Sequence, residues 1–492
     1  MMNINKYLYC HDQRLLRIVC SGFSLLILFE LFIRWPLRHL LYEPTGILTP
    51  TLLQRFQGNP PRFTLLNWFN DEHSVLSCFL ITGVMAVIVL IRSIKGKSYH
   101  HYFLILVIGI FSIYGRCWLS DTSAVFIQRS SLLFLLLATY ASYLGQVSWL
   151  NVGLRLQLAL IYLFNALQKT GETWKSGEAL TLFLQQDRIN QPLALYIIDY
   201  IPPVCLQAIS WFTLLIELTL PFLILSHQQA HRLRLSGIFL IIILHGSMIL
   251  VVDLSLFPIT MITLSTVLLT SKHLDWLETR LSSIFRKTSS LEESNISHNS
   301  KFQTQKIQFF TRQLTIILTA ILMVMCCWGT LRDNPLTKKM ITPLPYPLRY
   351  LRRSLDLKQW WSLYAPNVPR HDGWVVIGLW TGKKWIDPRS GLIPHSERLP
   401  SINRHWSSHL ERLSHYLARS TLRPLRPQFQ KWWMKKALKR GALKSGISVL
   451  GGEVWWVSEA EPTANKNITF LYRWGDMPCA TVSRQPCWRT TD

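Results

Sequence analysis

The feature that most constrains this chain is a succession of apolar runs, each near the length needed to cross a bilayer, continuing to about residue 330. A span needs about 20 apolar residues, and inside lipid each backbone N–H and C=O must find its partner within the protein. The runs predict helices over 17–35, 74–92, 101–116, 130–147, 152–169, 205–225, 233–252, 255–270 and 309–330. The expected fold class is an α-helical polytopic membrane bundle of about nine transmembrane helices, followed by a small C-terminal α+β extracytoplasmic domain. Only 16% of the 492 residues are charged, against roughly 25% in soluble domains, and the shortfall lies in this first part.

Basic residues in short loops give the orientation. Lys6, Arg14 and Arg17 precede the first run, Arg92, Lys95 and Lys97 follow the second, and Arg232 and Arg234 follow the sixth. Lys272, Arg280, Arg286, Lys287, Lys301 and Lys306 follow the eighth. An odd number of spans with these loops inside puts the N-terminus in the cytoplasm and the C-terminal domain outside. The organisation read from this is a transmembrane domain over 1–275, a cytoplasmic polar loop over 276–308, a last transmembrane helix over 309–330 and a basic, Trp-rich extracytoplasmic domain over 331–492.

Of the net charge of +25, that last domain carries +16, from 27 Lys and Arg against 11 Asp and Glu. A basic surface there suits lipid headgroups or an acidic, Glu-containing exported peptide, and nucleic acid is set aside as a partner on that side of a membrane. The domain reads as a hairpin, 374–380 and 384–386 about Gly382, helical spacing over 405–419 and 427–440, and strands over 454–457 and 468–473. The dense run from Asp356 through Trp360, Trp361, Ala365, Pro366 and Asn367 reads as a packed joint against the membrane domain. Cys479 and Cys487 are candidates for a short-loop disulfide, and no cysteine or histidine spacing indicates a metal site.

Polar groups inside spans are costly and mark functional positions. Tyr162, Asn165 and Lys169 lie at i, i+3 and i+7, on one face of a helix, followed closely by Glu172 and Trp174. Glu217 interrupts the sixth run and His245 the seventh. Lys169, Glu217 and His245 all map to the central or outer part of the bundle and can converge on one pocket. A desolvated lysine held as the neutral amine is a usable general base. The bland alternatives are a lysine that snorkels to the interface beside Trp174, and a carboxylate and a histidine that bond helix to helix.

These residues resemble the HTTM (horizontally transferred transmembrane) domain family, of the vitamin K-dependent γ-carboxylase-like superfamily. The match runs through Lys169, Trp174 and Gly177, then Glu217 with Pro221, then His245 followed by Phe257, over roughly residues 10–275. The tail, with Gln359-Trp360, Ala365-Pro366-Asn367 and Asp372-Gly373-Trp374-Val375-Val376, is similar to the tails of bacterial members. The resemblance implies a membrane enzyme using reduced vitamin K or another lipid quinone with oxygen, Lys169 as its base, and carboxylation of a peptide glutamate as a second step. It also implies that Glu217 and His245 line the pocket, and Tyr162, Asn165, Glu172 and Trp174 join them as pocket candidates from their place on and just after the lysine helix. The carboxylases proper have an Asn-His-Tyr-Tyr-like element upstream of the lysine helix, where this chain has Gly115-Arg-Cys-Trp-Leu-Ser-Asp121-Thr-Ser. That places it nearer the bacterial branch and a bacterial cytoplasmic membrane. The competing reading is a non-catalytic membrane partner in the maturation of, or immunity to, an exported peptide. A transporter would call for inverted repeats, and none is visible.

Overall fold

A computed structural model describes residues 12–56, 60–69, 71–143, 150–186, 189–227, 230–284, 303–361, 363–388, 392–394, 413, 417, 424–439, 449–460 and 465–475. Every apolar run named above forms a helix: α1 (Gln13–Arg34), α2 (Glu72–Ile94), α3 (His100–Arg116), α4 (Ser123–Tyr143), α5 (Leu150–Gln168), α6 (Pro203–Leu225), α7 (His231–Val251), α8 (Phe257–Ser265) and α9 (Gln303–Asp333). Among the described residues six of these are long and apolar enough to cross a membrane: α1, α2, α4, α6, α7 and α9. α3, α5 and α8 are shorter. This is an integral, multi-pass membrane protein.

Lipid-facing helices invert the usual arrangement, with apolar side chains outward. Phe212, Leu215 and Phe222 of α6 and Phe239 of α7 are all more than half exposed. Aromatic residues stand out at both ends of the bundle, as at a bilayer's two interfaces. Trp68 and Tyr200 are at the end that holds Lys169, and Tyr143 and Trp276 are at the other. At that other end Arg14 joins the start of α1 to the helix Ser271–Ile284 through Asp275 at 2.7 Å and Glu278 at 2.6 Å. There Arg155 also caps α6, donating to the carbonyl of Ile224 at 2.6 Å and of Ser226, the residue after the helix, at 2.7 Å, so an orphan carbonyl of that helix end is satisfied. The polar stretch 276–308 begins inside the helix Ser271–Ile284 and ends inside α9, and its residues 285–302 are outside the described ones.

After α9 the chain forms a four-stranded antiparallel sheet of order β2-β1-β3-β4, with β1 His371–Trp380, β2 Trp385–Ile386, β3 Gly451–Ala460 and β4 Asn465–Gly475. The expected hairpin turns at Gly382, whose φ of +85° favours glycine. Alternation along the strands gives the sheet two apolar faces. Trp374, Val376, Trp385, Trp455 and Val457 cluster on one, while Val375, Ile377, Leu379, Val454 and Leu471 join the core that contains Phe429 and Trp433 of the helix Arg426–Lys439. Of the helix expected over 405–419 only Leu413 and Leu417 are described, both buried, and Cys479 and Cys487 lie outside the described residues.

Candidate functional site

Three helix faces meet at the Lys169 end of the bundle. Lys169 follows the last turn of α5, and its Nζ lies 2.7 Å and 2.6 Å from the two carboxylate oxygens of Glu217 on α6. Both residues are buried, Lys169 at 8% exposure and Glu217 at 3%. Asn165, one turn before Lys169, donates to Glu217 Oε1 at 2.8 Å. Tyr162, one turn earlier again, shares a hydrogen bond of 2.8 Å with His245 Nε2 on α7. Phe257 of α8 meets the His245 ring edge-on at 5.5 Å. Lys169 Nζ also sits 4.3 Å from the centre of the Trp174 ring, a cation–π geometry. Pro221 has no N–H to give the carbonyl four residues before it, so the backbone carbonyl of Glu217 lacks its usual helical donor.

These groups border a cavity of about 490 Å³ that Tyr162, Asn165, Lys169, Trp174, Glu217 and His245 all line. Glu172 lies on the surface instead, paired with Lys175 at 3.0 Å and with 83% of its side chain exposed. The roof of the cavity comes from beyond α9. Residues Leu363–Pro369 form a strap across the segment that follows Lys169. Gly171 N donates to the Pro366 carbonyl at 3.0 Å, and Asn367 Oδ1 accepts from Thr173 N at 3.1 Å and Thr173 Oγ1 at 3.2 Å. Trp174 Nε1 donates to the Tyr364 carbonyl at 2.8 Å, and Leu363 N donates to Asn165 Oδ1 at 3.1 Å. The strap thus holds Asn165, which holds Glu217, and Trp174, which covers the lysine. Its root is fixed by buried Asn334, which accepts from Gln168 at 2.8 Å and from Trp361 N at 3.1 Å.

The packed joint expected over Asp356–Asn367 leads into this strap, with Trp361 buried and Trp360 62% exposed, but the strap's bonds to the site were not legible in the sequence. The one available signal was the glycine after Lys169-Thr170. A Cβ on Gly171 would come within 2.0 Å of Asn367 Oδ1. Gly171→Ala is therefore expected to lift the strap and cost about 1–3 kcal/mol by overpacking, read as a lowered unfolding temperature together with new protease cleavage near residue 365.

A second buried polar system was also missed. Arg129 joins Asp121 at 2.9 Å to Asp356 at 2.7 Å, Arg62 reaches Asp356 at 3.3 Å, and Arg34 bonds Glu30 at 2.6 Å. It ties α1 and α4 to the residues just before the strap.

Residues 76–276 match the HTTM domain family. The chain carries an HTTM domain. No curated protein and no solved structure matches the chain at a significant level. The HTTM domain runs from α2 to the helix Ser271–Ile284 and contains Tyr162, Asn165, Lys169, Glu217 and His245, while α1 and the strap lie outside the match. The cavity is therefore walled by the HTTM domain and roofed by the sequence beyond it.

Proposed function

We propose that this HTTM protein is a membrane enzyme of the vitamin K-dependent carboxylase-like type, acting on a lipid quinol, with Lys169 as general base. The observation that carries the reading is the amine of Lys169 held against Glu217 within a roofed cavity. The cavity's residues fit a flat, oxygen-bearing ring. Its volume of about 490 Å³ lies in the range of small-molecule sites. Trp174, Phe183, Tyr364 and Phe257 line it. His245 Nδ1 is buried with no hydrogen-bond partner among the described residues, a position that calls for a ligand group.

When bound, a reduced quinone supplies an acidic hydroxyl and the electrons that oxygen takes up. The chain's own residues handle the proton. Ammonium with carboxylate, and amine with carboxylic acid, differ only in where one proton sits between Nζ and Oε2, 2.6 Å apart. In the second arrangement Glu217 keeps the proton and the Lys169 lone pair accepts one from the hydroxyl. Asn165 keeps Glu217 in place, Trp174 stabilises the resulting cation, and the strap excludes water from the exchange. The +16 charge of residues 331–492 suits an acidic, Glu-containing exported peptide as the acceptor in a carboxylation step. Arg14, Arg17, Arg92 and Arg232 support a cytoplasmic N-terminus and an extracytoplasmic sheet, in a bacterial cytoplasmic membrane. One observation favours a non-catalytic partner role: Lys169 already donates to both oxygens of Glu217.

The test is oxygen-dependent epoxidation by the purified protein in lipid nanodiscs, given reduced naphthoquinones and benzoquinones in turn. Epoxide from one ring class supports the enzyme. Inert behaviour toward all of them by a folded protein overturns it in favour of the partner role.

A further inference from the structure

Between Asp333 and Asp356 the chain has five basic residues, Lys338, Lys339, Arg349, Arg352 and Arg353, and no acidic one. Part of this stretch is the helix Tyr346–Ser354, which has no buried residue. At 3.6 residues per turn, Tyr346, Pro347, Tyr350 and Leu351 fall along one side, and Arg349, Arg352 and Arg353 along another. Tyr346, Tyr350 and Leu351 are exposed, as are Leu336 and Met340 in the turn before them, Met340 at 80%.

The helix is seated at the end of a membrane-spanning helix. Arg352 pairs with Asp333, the last residue of α9, and its guanidinium covers Gly329, where a Cβ would meet Nε at 2.7 Å. Trp328, in the same turn of α9, donates from Nε1 to the Thr342 carbonyl at 2.7 Å. The stretch is thereby held at the level where α9 leaves the hydrocarbon. Apolar side chains left in water are unfavourable, and several arginines held together repel one another. A leaflet edge answers both, since acyl chains take the tyrosines and leucine while phosphates take the arginines and lysines. An acidic peptide would meet the charges and leave the apolar side in water.

We infer that residues 336–353 form an interfacial binding surface for anionic phospholipid in the leaflet at the Lys169 end, with the headgroup phosphate as the recognised group.

The experiment uses the full chain in nanodiscs of equal parts zwitterionic and anionic phospholipid, with lipids retained by the released protein counted by native mass spectrometry. The parent is expected to keep anionic lipid in preference to zwitterionic. The variant K338Q/K339Q/R349Q/R353Q, which leaves the Arg352–Asp333 pair intact, is expected to keep at least about tenfold less, because it removes four of the five positive charges of the surface. K338Q/K339Q alone, confined to an exposed turn, is expected to fold normally and lose an intermediate amount. Equal retention by parent and variants overturns the inference. So does charge-dependent capture of a poly-glutamate peptide by the parent with no preference for anionic lipid, a result that would assign the surface to an acidic chain.

Discussion

Glu217→Gln is expected to cost about 3–5 kcal/mol, because it leaves a buried lysine ammonium without its counter-charge. Both members of the pair are almost fully covered, and each carboxylate oxygen lies within 2.7 Å of Nζ. Lys169→Met should cost a similar amount for the complementary reason. The double variant Lys169→Met/Glu217→Leu removes both charges together and is expected to recover most of that stability, since buried pairs replaced by apolar groups are often neutral. Activity separates from stability in this set. If Lys169 is the base, the double variant stays inactive in quinol oxidation, by at least about a hundredfold, although its unfolding temperature returns near the parent's. An active, stable double variant would remove Lys169 from the chemistry altogether.

Arg129→Met is expected to be the other large loss, again about 3–5 kcal/mol, because Arg129 is bonded to both Asp121 and Asp356 and is 1% exposed. The effect has a pH signature through Asp356. Burial alone would raise that carboxyl, but Arg129, Lys358 and Arg62 outweigh it and hold it down to about 2. A lowered folded value means the stabilisation is complete above the ordinary carboxylate range and is lost as pH falls from about 4 toward 2. The parent should lose about 2 kcal/mol across that window, and Arg129→Met should lose visibly less. Unfolding midpoints at stepped pH measure this, and superimposable acid limbs for the two proteins would refute it.

The bundle was legible because lipid imposes one rule on every span, so each apolar run could be read independently of its neighbours. The convergence of Lys169, Glu217 and His245 was legible only as a possibility of register. Helical spacing puts Tyr162, Asn165 and Lys169 on one face, but nothing in α5 specifies that α6 and α7 bring Glu217 and His245 to it. The arginine network escaped because Arg34 and Asp121 sit at or beside helix ends and Arg129, seven residues into α4, stands just before the apolar run expected over 130–147, where a basic or acidic residue reads equally well as a solvated cap. The bonds from Asn165 to Leu363 and from Thr173 to Asn367 connect positions too distant for any local pattern to record.

That distance has a consequence for how the protein is made. Asn165 waits for a backbone amide 198 positions later, and Gln168 for a side chain 166 positions later. Synthesis proceeds from the N-terminus, so the helices that carry Lys169, Glu217 and His245 are complete long before the segment that covers them exists. Until the ribosome has delivered residue 369 and that segment has docked, the amine stays open to its surroundings. A chain that stops before the strap, even with α1 to α9 in place, is left with the cavity unroofed, so the protein gains a sheltered interior only after the last of those helices has been made.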